Sequence, residues 1–379
     1  MKEAGRTSEG LESEPEPSPI TIAGRTLTPT AVFNTYWKFA VRRQALYMKR
    51  LDGDGPPWTK DEILEGHRFT NVFRASDRVS QYLICEVQRS DPRVTELVDQ
   101  VFRTLLFKIF NREDTWKALQ AAVGPISWSS YSFEAYAAAL ASADASGPIY
   151  SAAYLMPPPK LGESKKYANH LRLIERMIGD GLVGKVLTAR SLKEVYEALL
   201  AFPAIGPFLA FQYAIDLNYL DELPYDEDDF VVAGPGAKDG IRKCFGPASK
   251  GLETEIIRYM VDTQEEHFAR LGLSFPGLFG RRLHLIDAQN LFCEVDKYAR
   301  VAHPEAQGLS GRTRIKQLYR PGGPVARPRF PDRWHLQVPP AAPDITPGPL
   351  IASHTSAPWS EGYSDKAVGF SDRRAYARW

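Results

Sequence analysis

The sequence predicts an all-α fold on three observations. Apolar residues recur at three- and four-residue spacing along most of the chain, and the two-residue alternation of strands is nearly absent. Several of the periodic stretches also open on Ser, Thr or Asp and close on Gly or Pro, as capped helices do. The composition suits such a fold, since 379 residues with 44% hydrophobic and 25% charged side chains supply one large domain with a sizeable core.

Taken in order, residues 1–26 are rich in Glu, Pro, Ser and Gly and poor in large apolar groups, so they are expected to form a disordered N-terminal tail. Helical periodicity then runs over 32–50, 79–87, 93–109, 116–123, 133–143 and 167–178, and again over 191–201, 208–217, 238–244, 252–271 and 283–301. From 321 onward the proline density excludes helices and central strands, so 321–379 is expected to be a disordered C-terminal tail whose scattered aromatics can dock on the surface. The folded helical domain is therefore placed at 27–320. No repeat of fixed period is visible.

Charge and cysteine usage narrow the function classes. With 47 Lys+Arg against 46 Asp+Glu the formal charge is +1, so no global field attracts a polyanion and any nucleic-acid surface must be local. Cys85, Cys244 and Cys293 are dispersed, which argues against a disulfide framework, a structural zinc or a four-cysteine iron–sulfur loop. The seven histidines show no ligand spacing, so neither a metal nor another cofactor is expected. There is no apolar leader and no run of about 18 apolar residues, so the chain is expected to be intracellular with no membrane partner. GDGLVGK at 179–185 imitates a P-loop, but Val186 stands where Ser or Thr would bind magnesium and the preceding segment is helical, so it reads as a helix end.

Four constellations remain. FPAIGPFLAFQ at 202–212 joins two helical stretches, and a helix-hairpin-helix there would present Ile205, Gly206 and Phe208 to a DNA phosphate. Ala204 stands in place of that motif's first glycine, and the same letters also fit two core helices punctuated by Gly206 and Pro207. YDEDDFVVAGPGA at 225–237 follows, with Asp229, or its neighbour Asp228, where helix-hairpin-helix DNA glycosylases keep a catalytic aspartate. A solvated acidic loop is the plainer reading of that stretch. Phe208 occupies the place of the Schiff-base lysine of bifunctional glycosylases, which points to excision without strand cleavage. Between 56 and 87, Arg68 and Arg74 suit phosphate contacts, and Phe69, Asn71, Phe73, Asp77 and Gln81 suit a base pocket. An amphipathic helix pair with core aromatics explains them equally well. On 283–300, Asn290 and Glu294 extend a polar stripe from Asp287 that either hydrogen-bonds an extruded base or joins helices, while Cys293 fits a small core residue.

YWKFAVRRQALYMKR, PWTKDEIL, FTNVFRASDRVSQYLI, IGPFLAFQ, DEDDFVVAGPGA and IDAQNLFCEVDKYAR together resemble the helical domain of phage 5-hydroxymethyl-deoxyuridine DNA kinases. They are also similar to the alpha-glutamyl/putrescinyl-thymine pyrophosphorylases, whose helical fold is like that of helix-hairpin-helix DNA glycosylases. The resemblance implies DNA as partner and a hypermodified 5-substituted pyrimidine as substrate. It places Asp229 or Asp228 as the acidic site residue, Asn71, Arg74, Asp77 and Gln81 in an N-terminal signature, and Gln289, Asn290, Glu294 and Asp296 on a C-terminal helix. Without a P-loop, phosphorylation of hydroxymethyl-deoxyuridine would need a separate kinase. The favoured expectation is excision, in which Asp229 stabilises the sugar cation and Phe69, Phe73, Asn71 and Gln81 hold the base. Transfer of an amine or amino acid onto an activated hydroxymethyl-thymine, and a non-catalytic DNA-binding module, are the alternatives.

Overall fold

Ile22 is buried although it falls in the stretch that composition assigns to a tail, and Leu27, just past that stretch, is buried with it. In the computed structural model, which describes residues 16–89, 96–152, 156–320, 323 and 325–339, they belong to an antiparallel hairpin of β1 (Ile20–Ile22) and β2 (Arg25–Leu27). Its turn passes through Ala23 and Gly24 at positive φ, and Arg25 ties it to the carbonyls of Ala248 and Lys250 at 2.8 and 2.9 Å. Strands of three residues are too short for a periodicity to show. The remaining described elements are helical, as expected.

The centre of the domain is α1 (Ala31–Leu51), capped by the Thr30 side chain and burying Phe33, Tyr36, Trp37, Ala40 and Tyr47. It packs on α11 (Pro235–Phe245) and α14 (Leu285–Ala302). Gly240 lets α11 meet α14 closely, since a Cβ there would lie 2.1 Å from the Phe292 carbonyl oxygen. A second group, α4 (Leu97–Phe110), α5 (Glu113–Val123), α6 (Phe133–Ser146), α7 (Lys166–Gly179) and α8 (Leu182–Thr188), adjoins α9 (Leu192–Leu200) and α10 (Pro207–Leu217).

Three elements differ from the periodicity. The stretch 79–87 is wound as α3 (Arg78–Tyr82) followed by a π-helical turn at Leu83–Gln88. The stretch 252–271 breaks at Thr263 into α12 (Glu253–Asp262) and α13 (Gln264–Arg270), the Thr263 hydroxyl bonding back to the Tyr259 carbonyl at 2.7 Å. A short α2 (Glu62–Gly66), capped by Asp61, precedes the loop that matters most below. The P-loop look-alike is a helix end: α7 stops at Gly179, Gly181 adopts a left-handed φ of 78°, and α8 begins.

Beyond 320 the described segment 325–339 lies on the domain. Phe330 is only 6% exposed, Trp334 stacks on it, and Arg333 donates to the carbonyls of Leu220 and Asn218. Burying one such aromatic contributes roughly 2 kcal/mol, and prolines lower the entropy lost on docking. Residues 1–15 and 340–379, also expected to be tail, lie outside the described residues. Among the described residues no helix is long and apolar enough to cross a membrane, the three cysteines are free, and no cluster of His, Cys, Asp or Glu is placed to hold a metal.

Candidate nucleic-acid interface and the polar clusters beneath it

The loop from His67 to Asp77 is held in shape by side chains of α1 and α14. From α1, Arg43 donates to the carbonyl of Thr70 at 2.9 Å and to Asn71 Oδ1 at 2.5 Å. From α14, Glu294 accepts the Thr70 amide at 2.9 Å and pairs with Lys297 at 2.7 Å, while Asn290 donates to the Thr70 hydroxyl at 3.2 Å. Within the loop, Asp77 accepts the Asn71 amide through Oδ1 at 2.6 Å. Burial, with Glu294 adding to it, pushes the Asp77 pKa up to about 7 against the opposing pull of the Asn71 amide and Arg43. Asn71, Asp77, Asn290 and Glu294, four of the residues expected around a base, are thus brought into one cluster.

A second cluster sits at the N-terminus of α14. Asp228 Oδ1 accepts the Leu285 amide at 3.0 Å and Oδ2 lies 3.0 Å from His284 Nδ1. Burial alone would raise the Asp228 pKa, but His284 and that amide hold it below the usual carboxylate range. Burial likewise works against the His284 imidazolium, and Asp228 outweighs it, so the His284 pKa lies above its ordinary value. Glu227 pairs with Arg281, whose guanidinium lies over Trp334 at 3.8 Å. Asp229 is exposed instead. Its Oδ2 accepts the Lys193 amide at the start of α9 at 3.2 Å, and Arg258 holds the carbonyls of both Asp228 and Asp229. Leu285 and Glu294 are nine positions apart on α14, which separates the two clusters by about 14 Å.

Residues 30–308 match the family described as 5-hmdU DNA kinase, helical domain. The chain belongs to this family. It is similar to a 5-hmdU DNA kinase of Bacillus phage SP10, with 27% identity over 292 residues that make up 72% of this chain and 45% of the relative. The match thus spans a little under half of that kinase's length. No solved structure matches the chain.

Other expected site residues of this helical-domain protein are placed differently. Arg74, read as a phosphate contact, is 6% exposed and lies inside: it pairs with Asp216 at 2.7 Å and donates to Gln212 and Tyr219, and Lys108 meets Asp216 from the other side at 2.8 Å. Phe73 is 1% exposed and stacks on Phe275, and Phe69 is packed against Phe39 and Tyr298, so both rings serve the core rather than a base. Gln289 is buried on the side of α14 that bears Cys293, to whose Sγ it donates at 3.3 Å. Gln81 bridges the Ala75 carbonyl and the backbone of Arg329. In the turn between α9 and α10, Ile205 is buried, Gly206 is exposed as the N-cap of α10, and Phe208 packs on Gly234. Ala204 sits at a φ of 62°, the left-handed conformation that a glycine there would adopt freely.

Arg68 is exposed, as a phosphate contact should be, and it has company that periodicity did not reveal. The segment 312–320 runs beside the loop, with the Arg68 amide donating to the Gln317 carbonyl at 3.0 Å and the Tyr319 amide to the Gly66 carbonyl at 3.1 Å. Arg314, Lys316 and Arg320 on it are exposed, and no described residue pairs with their side chains or with that of Arg68. The alternation of cations in RTRIKQLYR was the available signal. This basic rim borders the Asn71–Asp77 cluster, and its cations on 312–320, unlike Arg68, lie past the end of the family match at residue 308.

Proposed function

We propose that this chain acts on DNA carrying a 5-substituted pyrimidine of the 5-hydroxymethyluracil type, and that its chemistry falls on the C5 substituent as a group transfer. Membership of the 5-hmdU DNA kinase helical-domain family supports the substrate class. The observation that carries the reading is the basic rim of Arg68, Arg314, Lys316 and Arg320 along the loop that bears Asn71 and Asp77. Cations without carboxylate partners are the ones that exchange counterions for phosphates.

Transfer is favoured over excision by the acidic residues. Stabilising a sugar cation calls for a carboxylate that faces the sugar with free lone pairs. Both Asp228 oxygens are engaged, by His284 and by the Leu285 amide, and Asp229 is turned to the Lys193 amide at the surface. An imidazole whose pKa Asp228 holds above its ordinary value, against burial, suits an anionic leaving group such as pyrophosphate. In such a transfer the nucleophile's N–H bond and the C–O bond to pyrophosphate break, a C–N bond forms at the C5 methylene, and the proton passes to solvent. A kinase activity supplies the pyrophosphorylated hydroxymethyl group that this step consumes.

The test incubates the protein with oligonucleotides carrying thymine, 5-hydroxymethyluracil or its pyrophosphorylated form, with and without an amine donor, followed by nucleoside mass spectrometry and hot-alkali treatment. The expected result is a mass change on the pyrophosphorylated nucleoside alone, with every glycosidic bond intact. Free base with alkali-labile sites would establish excision instead, and tight binding with no chemical change would leave a DNA-binding module.

A further inference from the structure

The loop cluster contains buried polar groups that the protein itself leaves without partners. Arg43 and Tyr47 stand one turn apart on the inner face of α1, 8% and 3% exposed. Arg43 spends Nε and Nη2 on the loop, but Nη1 has no hydrogen-bond partner, and neither does the Tyr47 hydroxyl. The hydroxyl of Tyr319, on the segment that crosses the loop, is a third buried atom without one. These groups act on one another: Asp77 and Tyr319 both bear on the Arg43 charge, and Asp77 and Arg43 both bear on the Tyr47 hydroxyl. Asp77 uses Oδ1 for the Asn71 amide, and no described residue bonds its Oδ2.

Three unmet donors on the elements that hold this loop, with a carboxylate oxygen of Asp77 that no described residue bonds, make a set with a chemical counterpart. A buried donor left unmade keeps its desolvation penalty, so an occupant that supplies acceptors to these groups would bind favourably. The pairing edge of a uracil-type base reads acceptor, donor, acceptor at O2, N3–H and O4. Cytosine instead presents an amino donor at C4 and a bare N3. We propose that Arg43, Tyr47, Tyr319 and Asp77 line a pocket that reads the pairing edge of one uracil-type pyrimidine turned out of DNA, with Asp77 accepting N3–H and the guanidinium and hydroxyls donating to the two carbonyls. Trp58 packs edge-on against Tyr319, with ring centroids 6.5 Å apart and the Arg50 guanidinium over its ring at 5.2 Å. The inference deepens the DNA reading above by naming the residues that select the base.

Because Arg43 also braces the loop, the test removes only hydroxyls, in Tyr47→Phe and Tyr319→Phe. Binding of 5-hydroxymethyl-2′-deoxyuridine and 5-hydroxymethyl-2′-deoxycytidine is followed by saturation-transfer NMR, and binding of oligonucleotides carrying each base by fluorescence anisotropy, with thermal melts to confirm folding. The wild type is expected to prefer the uracil form; the variant that loses the O4 donor should reduce that preference by about 2- to 10-fold, the worth of one hydrogen bond, whereas loss of an O2 donor weakens both nucleosides alike. Equal binding of the two nucleosides by the wild type, or variants with its full preference, overturns the pocket and leaves a cluster filled by water only. Selective nucleoside binding without action on DNA would sink the functional reading and keep the pocket. Action on DNA with unaltered selectivity in both variants would do the reverse.

Discussion

Replacing Arg74 with methionine separates a structural role from a DNA contact, because the two predict opposite readouts. The guanidinium lies 2.7 Å from Asp216 Oδ1, donates to Gln212 and Tyr219 at 3.2 Å each, and is buried with them. Removing one partner of a buried pair costs about 3–5 kcal/mol, because the remaining charge keeps its desolvation penalty. Two features pull the value to the lower end: Lys108 still neutralises Asp216 at 2.8 Å, and methionine fills most of the vacated volume. A loss of about 3 kcal/mol corresponds to a fall of roughly 4–6 °C in melting temperature for a domain of this size. Differential scanning calorimetry measures it, and DNA affinity over a range of salt concentrations completes the comparison. The salt slope should not change, since no phosphate contact is lost. An unchanged melting temperature together with a shallower salt slope would refute the argument and put Arg74 on the DNA backbone.

Three further outcomes are expected. Asp77 is pushed up to about 7 by burial and Glu294, so the folded protein holds a proton that the unfolded chain releases near pH 4, and stability falls as pH rises between those values. Asp77→Asn should therefore match the wild type at pH 4 and exceed it by up to about 4 kcal/mol at pH 8, in urea titrations at both pH values; equal stabilities at pH 8 would contradict the shift. Arg68→Ala and Lys316→Ala, each at an exposed cation without a described partner, should each lower the salt slope of DNA binding by about one and leave the melting temperature in place. Gly240→Ala would bring a Cβ to 2.1 Å from the Phe292 carbonyl oxygen, so α11 must move off α14. A destabilisation of about 2–4 kcal/mol is expected even though alanine favours the helix by about 1 kcal/mol, and a calorimetric melt at the wild-type temperature would show that the interface can open.

What could be read from the sequence, and what could not, follows the range of the forces involved. Periodicity located α1 within a residue at each end because its apolar face is a local pattern. The twin readings of 56–87, phosphate and base contacts or an amphipathic core, could not be separated locally, because the partners that draw Arg74 inward, Asp216, Gln212 and Tyr219, come from α10 and the residues just after it. The same holds for Asp228, whose ring partner lies in the turn before α14. The basic rim escaped notice because 312–320 has neither helical nor strand-like burial to mark it. Arg43 is the instructive case. Positions 36, 40, 43 and 47 fall on one helical face, and three of them are Tyr36, Ala40 and Tyr47, all in the core. A guanidinium on that face has to be buried, and a buried guanidinium must find acceptors. The sequence therefore already required a polar site beneath α1. It could not show that the carbonyls of Phe69 and Thr70 and the Asn71 side chain would meet only part of that demand, and the unmet remainder is what makes the site a candidate for binding rather than a brace alone.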